Sequence, residues 1–136
     1  FAEFEHFIYT EDAKGTTLTP DLMADKFNGL FKEYNGDAVT DLPWKDDTWA
    51  QIPHFYYDYY VYQYATSKAI ATALADDIIS GKPGALENYK KFLSAGASNY
   101  PVEIVKQAGV DVTKRDYLDQ AFKLFGEEVE ELKRIL

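Results

Sequence analysis

The sequence predicts an all-α fold. Three observations carry this: apolar residues recur at helical spacing along most of the chain, proline and glycine punctuate the intervals between those stretches, and the one candidate for an alternating strand, 38–42, is short.

The first stretch places Phe1, Phe4 and Ile8 on one helical face. That helix is already under way at Phe1 and the chain does not open on methionine, so its start is expected to lie upstream and the chain reads as a fragment. Thr19 before Pro20 marks the next helix start: the hydroxyl can cap, and a proline loses nothing in the first turn by lacking an N–H. This helix is expected to turn Leu22, Met23, Phe27, Leu30, Phe31 and Tyr34 toward the core and to end at Asn35-Gly36, where glycine takes the left-handed conformation easily. Residues 36–48 read as loop.

A long central helix is predicted over 53–80, because no glycine or proline follows Pro53 there and residues 65–75 are rich in alanine, which favours close helix packing. The run Gly81-Lys82-Pro83-Gly84 ends it. A shorter helix over 85–93 stops at the small-residue loop Ala95-Gly96-Ala97-Ser98, and another runs from Pro101 to Gly109. Thr113 and Asp116 then offer a start resembling a capping box for a last helix carrying Leu118, Phe122, Phe125, Val129 and Leu132 at helical spacing. Gly126 inside it costs about 1 kcal/mol relative to alanine.

Composition narrows the function. The 136 residues fit one domain able to bury a core, and 46% apolar with 27% charged residues describes an ordinary globular protein with an unusually high aromatic share of 16%. With 14 basic against 23 acidic residues the net charge is −9, which opposes binding to nucleic acid or to an anionic bilayer. No apolar run reaches the roughly 18 residues a membrane span needs. Without cysteine there is no disulfide framework, thiolate metal site or thiol nucleophile, a pattern compatible with the cytoplasm.

The aromatic share is concentrated. Tyr56, Tyr57, Tyr59, Tyr60, Tyr62 and Tyr64 crowd one short segment. A buried tyrosine must find a partner for its hydroxyl, so a helix built only for packing would use Phe or Leu; the density suggests a wet, polar-lined cleft. On a helix, Tyr57, Tyr60 and Tyr64 share one face and Tyr59 and Tyr62 a second. The plainer reading, in which these hydroxyls sit at core edges on neighbouring carbonyls, stands beside it. His54, between Pro53 and Phe55, can donate a hydrogen bond from its imidazole, whereas His6 reads as structural.

A zinc centre needs about three protein ligands, and no His-Glu-x-x-His is present. His54 and Asp58 stand at i, i+4, but a third ligand is missing. The acidic pairs Asp46-Asp47, Asp76-Asp77 and Glu127-Glu128 read as solvated faces. Serine elbows, phosphate-binding glycine loops and paired general-acid carboxylates are also absent, so the residues assemble no complete active site.

The segments Ile52-Pro53-His54-Phe55-Tyr56-Tyr57 and Tyr60-Val61-Tyr62-Gln63-Tyr64-Ala65-Thr66 resemble the oligoendopeptidase F group of the thimet-oligopeptidase-like zinc metallopeptidases. Phe1-Ala2-Glu3-Phe4-Glu5, the run from Phe92 to Pro101 and Ala108-Gly109-Val110-Asp111 resemble family segments in the same order. The resemblance implies a helical C-terminal lobe of a two-lobed, channel-containing metallopeptidase, with residues 1–136 as the C-terminal part of its catalytic domain. The zinc-binding part, His-Glu-x-x-His and a downstream glutamate, would lie before Phe1. Zinc is then a cofactor of the complete enzyme, none is bound by this chain alone, and the isolated chain is inactive.

By the same resemblance the partners are a short peptide substrate and the remainder of the catalytic domain, in the cytoplasm. His54 is the implied carbonyl or substrate-backbone donor and Tyr62 the implied oxyanion donor. Tyr57 is implied in substrate contact, with Tyr59 and Tyr60 in reserve because related subfamilies space these residues differently and many carry phenylalanine where Tyr59 stands. The Gly96 loop is implied to flex over bound peptide, with an ordinary interhelix turn as its plainer reading. Taken without the resemblance, the residues also fit a non-catalytic helical module that binds a peptide or protein through its aromatic groove. The isolated chain is expected to expose apolar surface and to be marginally stable or to associate.

Overall fold

Among the described residues six α-helices follow one another: α1 (Ala2–Ala13), α2 (Pro20–Asn35), α3 (Tyr62–Ile79), α4 (Ala85–Ala95), α5 (Pro101–Ala108) and α6 (Asp116–Ile135). Short 3-10 helices occupy Gly36–Ala38, Lys45–Gln51 and Pro53–Tyr56. This computed structural model describes residues 1–40 and 45–136, with the side chains of Lys45 and Asp46 excepted. Among the described residues there is no strand, as an all-α chain requires. Of the expected strand, Ala38 lies in a 3-10 turn and Val39 is extended, while Asp41 and Leu42 fall outside the described residues.

The chain divides into two compact units, Phe1–Gln63 and Tyr64–Leu136, each with its own core. In the first unit Phe4, Phe27, Leu30, Phe55 and Val61 are buried together, with Ile8, Met23, Trp49 and Ile52 packed against them. The rings interlock edge to face: Phe4 lies 5.2 Å from Phe27 and 5.0 Å from Phe55, the geometry that aromatic quadrupoles favour. α2 starts as the sequence predicts, with the Leu22 amide donating to Thr19 Oγ1 at 3.2 Å and Pro20 in the first turn. Tyr34, expected in the core, is instead 71% exposed, because the buried stripe of α2 ends at Leu30.

In the second unit Ala69, Ala73 and Leu74 of α3 pack with Ala108, Val110 and Tyr117. The small residues of α3 do allow close approach, since Ala73 is 1% exposed. α5 ends at Gly109, whose φ of 113° suits glycine. The expected capping box at α6 does not form: the Thr113 hydroxyl and amide both donate to Asp111 Oδ1, at 2.6 and 3.1 Å, making a local turn that withdraws Thr113 from the helix end. Asp76 and Asp77 are likewise not simply solvated. Gln120 Nε2 of α6 donates to Asp76 Oδ2 at 2.6 Å, and Lys82 Nζ lies 2.6 Å from Asp77 Oδ2. Glu127 and Glu128 are exposed as expected, and for Asp46-Asp47 the Asp46 side chain is outside the described residues.

The predicted central helix is the principal correction. Helix does not run from 53: Pro53–Tyr56 is 3-10, residues 57–61 are irregular, and α3 begins at Tyr62. Asp58 and Tyr59 have φ of 36° and 58°, in the left-handed region that residues bearing a Cβ rarely enter.

Candidate functional site on the 53–62 segment

The break between the 3-10 turn and α3 has a specific cause. In a continuous α-helix, the amides of residues 58–61 would bond to the carbonyls of residues 54–57. Here side chains of α1 accept three of those four amides, 58, 60 and 61. The Tyr9 hydroxyl donates to the Phe55 carbonyl at 3.1 Å and accepts the Asp58 amide at 3.0 Å. The Glu5 carboxylate accepts the Tyr60 amide on Oε1 at 2.9 Å and the Val61 amide on Oε2 at 3.0 Å. Tyr59 then stacks on Tyr9, centroids 4.7 Å apart and planes at 30°, with His6 6.2 Å away. The left-handed pair costs about 1–2 kcal/mol per residue, and this set of bonds and ring contacts offsets it.

That pinning lifts His54, Tyr57 and Tyr60 into one cluster. Phe55 is buried and anchors the turn in the core, while the residues beside it point outward. The His54 ring stacks on Tyr60 at 5.5 Å and 30° and meets the edge of Tyr57 at 6.3 Å and 83°. Tyr57 and Tyr60 meet edge to face at 5.9 Å and 76°. Both tyrosines are exposed and His54 is half-buried, so one surface presents an imidazole and two phenols.

The sequence-predicted residues therefore fall into different places. His54, Tyr57 and Tyr60 come together, although not as a helical face. Tyr59 turns toward Tyr9 and His6 instead. Tyr62 is the exposed first residue of α3, so the expected i, i+3 pair with Tyr59 is not made within a helix. Gly96 belongs to the second unit, where it terminates α4 with φ 51°. The i, i+4 geometry imagined for His54 and Asp58 is lost with the helix, and among the described residues no group of three or more His, Asp or Glu side chains is arranged to hold a metal. An apolar cavity of about 400 Å³ in the first unit is lined by core residues including Phe4, Ile8, Trp49 and Phe55, and the ring cluster stands outside it.

Sequence reasoning missed Glu5 and Tyr9. At Tyr9 burial foremost, together with the nearby Asp58 carboxylate, raises the hydroxyl above the usual tyrosine value. The available signal was Glu5 directly after Phe4 in a resembling segment, a charge adjoining the most apolar face of its helix. Periodicity gave it no role.

Comparison with known proteins supplies the context. The model of peptidase family M3 matches residues 1–124. Group B oligopeptidase PepB of Streptococcus agalactiae is 44% identical over 136 residues, covering 100% of this chain and 23% of that protein. Oligopeptidase PepF of Bacillus subtilis is 44% identical over 137 residues, covering 100% of this chain and 20% of its own length. The crystal structure of oligoendopeptidase-F from Enterococcus faecium superposes with a TM-score of 0.79 at 46% identity, over 98% of this chain and 26% of that one. The chain thus spans a fifth to a quarter of the relatives it matches.

Proposed function

The chain belongs to peptidase family M3, and from that premise we propose that it supplies a substrate-facing wall in the C-terminal part of a zinc-dependent oligoendopeptidase catalytic domain that hydrolyses short peptides. The observation that supports this most directly is the cluster of His54, Tyr57 and Tyr60, outward-facing rings on a segment held from below by α1.

Attack on a scissile carbonyl places negative charge on its oxygen, and a hydroxyl or imidazole N–H already aimed there stabilises it without reorganising. In this reading the Tyr62 hydroxyl donates to the oxyanion and the His54 N–H donates to the carbonyl or to the substrate backbone. Tyr57 contacts the peptide, with Tyr59 and Tyr60 as further candidates, and the Gly96 loop flexes over it. The geometry favours Tyr60 over Tyr59 among these, because Tyr60 lies against His54 whereas Tyr59 is engaged with Tyr9. The described residues do not fit a zinc centre, so the metal is assigned to the rest of the catalytic domain, which is the chain's partner together with the peptide. Among the described residues no helix is long and apolar enough to cross a membrane. A cysteine-free chain is in keeping with a cytoplasmic enzyme.

The test uses the full-length peptidase carrying this chain. Tyr62→Phe and His54→Ala are each expected to lower kcat on a short peptide by roughly 10²-fold or more, the usual loss for one oxyanion donor, with zinc content unchanged. Normal turnover in both variants would show the assignment to be wrong. Peptide binding without turnover in the full-length protein would favour a binding module.

A further inference from the structure

We propose that Glu5 is the positioning residue of this site: a buried carboxylate that sets the backbone at Tyr60 and Val61 and thereby aims the Tyr60 ring and Tyr62. The proposal rests on the functional reading above.

Glu5 is 1% exposed, the one buried charged residue among those described, and both its oxygens are committed to main-chain amides 55 and 56 residues away. A buried charge is expensive unless hydrogen-bonded, so such a group persists where it does something an apolar residue cannot. Here it sits against the start of α3. The Tyr60 and Val61 amides lie just before the first helical residue, where donors lack intrahelical partners and a negative charge complements the helix dipole.

Stability alone asks for less. A Ser, Asp or Asn at position 61 would cap α3 locally. Val61 instead contributes its side chain to the core and cannot cap, and the Glu5 carboxylate holds the amides of Tyr60 and Val61 themselves, which a cap at position 61, accepting from residue 63 or 64, would not reach. The result is a rigid support at the point where the chain leaves the ring cluster: Tyr60, whose amide Glu5 holds, is the residue stacked on His54, and Tyr62 follows Val61 directly. Catalytic donors tolerate little displacement, and a misplacement of about 1 Å can cost on the order of 10²-fold in rate.

The test is kinetic, in the full-length peptidase. Glu5→Gln keeps size and shape but turns an NH₂ against one of the two amides, so the support is lost on one side. Expected is a fall in kcat of roughly 10-fold to 10²-fold with KM changed less than about 3-fold, since the interaction lost is one made in the transition state. A core variant, Phe27→Leu, is chosen to match the drop in Tm; it should leave kcat nearly intact. In a Tyr62→Phe background, Glu5→Gln should cost little more, because the group it aims is gone. Should Glu5→Gln fail to fold, Glu5→Asp, which keeps the charge but shortens the reach, is read the same way. Full turnover in the Glu5 variant, a kcat loss no greater than that of Phe27→Leu, or a loss that simply adds to Tyr62→Phe overturns the proposal while leaving the functional reading standing. Normal turnover in both Tyr62→Phe and His54→Ala overturns the reading, and this proposal with it.

Discussion

The ring of Tyr9 stacks on that of Tyr59 at 4.7 Å and 30°, while its hydroxyl bridges the Phe55 carbonyl and the Asp58 amide. One side chain of α1 thus contacts the irregular segment in three places. Tyr9→Phe keeps the stack and removes both hydrogen bonds. It should destabilise the protein by about 1–3 kcal/mol, the cost of leaving such groups unsatisfied, as read from urea unfolding. Unchanged stability would mean that the hydroxyl does not hold the left-handed turn.

The same hydroxyl sets an alkaline limit. Burial raises its folded-state pKa above the ordinary 10.0, so the fold favours the neutral form. The corresponding stability is fully present below pH 10.0 and is lost as pH rises through the higher folded value. An ultraviolet-monitored titration should show late-ionising tyrosine, and Tyr9→Phe should remove one such step. Tyr34, raised chiefly by the charge of Glu3, accounts for another. If Tyr9→Phe left the curve unchanged, the attribution would fail.

Asp111 gives the opposite sign. Hydrogen bonds from the Thr113 hydroxyl and amide, with Lys106 nearby, hold its carboxyl below the usual 3.8. Its contribution is present above pH 3.8 and disappears as pH falls through the lower folded value. Thr113→Ala removes the largest cause, so the Asp111 carboxyl resonance should titrate nearer to 3.8 by NMR. No movement would assign the shift to the Thr113 amide and Lys106 instead.

Packing separates two phenylalanines. Phe4 is fully buried among Phe27, Phe55 and Trp49, and Phe4→Ala should cost about 3–5 kcal/mol in thermal unfolding of residues 1–136. Phe122 on α6 is 66% exposed in this chain, and Phe122→Gln should change stability by no more than about 0.5 kcal/mol. A large loss from Phe122→Gln would show that its ring is covered in solution.

Gly126 lies inside α6, and a Cβ added there meets nothing within 4 Å. Gly126→Ala should therefore stabilise residues 1–136 by about 0.5–1 kcal/mol, seen as a higher Tm. A lower Tm would require a neighbour at that position.

Much of this was legible in the sequence because it is local. The Thr19 cap, the prolines opening α2 and α5 and the glycine closing α5 act on their own neighbours, and helical spacing does the rest. The ring cluster was legible only as a list. Its members were expected on helical faces, since nothing in residues 54–80 forbids a helix. Tyr34 and Thr113 were misjudged for related reasons: a periodic stripe does not say where burial stops, and a hydroxyl does not say which of two nearby acceptors or donors it will take.

By itself, then, the sequence determined an all-α chain, most of its helix ends and the tyrosine-rich segment beside His54, because propensity, capping and spacing depend on residues a few positions apart. Only the tertiary structure decided which tyrosines meet the histidine. Glu5 and Tyr9, brought from the far end of the first unit, take the amides of Asp58, Tyr60 and Val61 in place of intrahelical carbonyls, and no local pattern records a partner that distant.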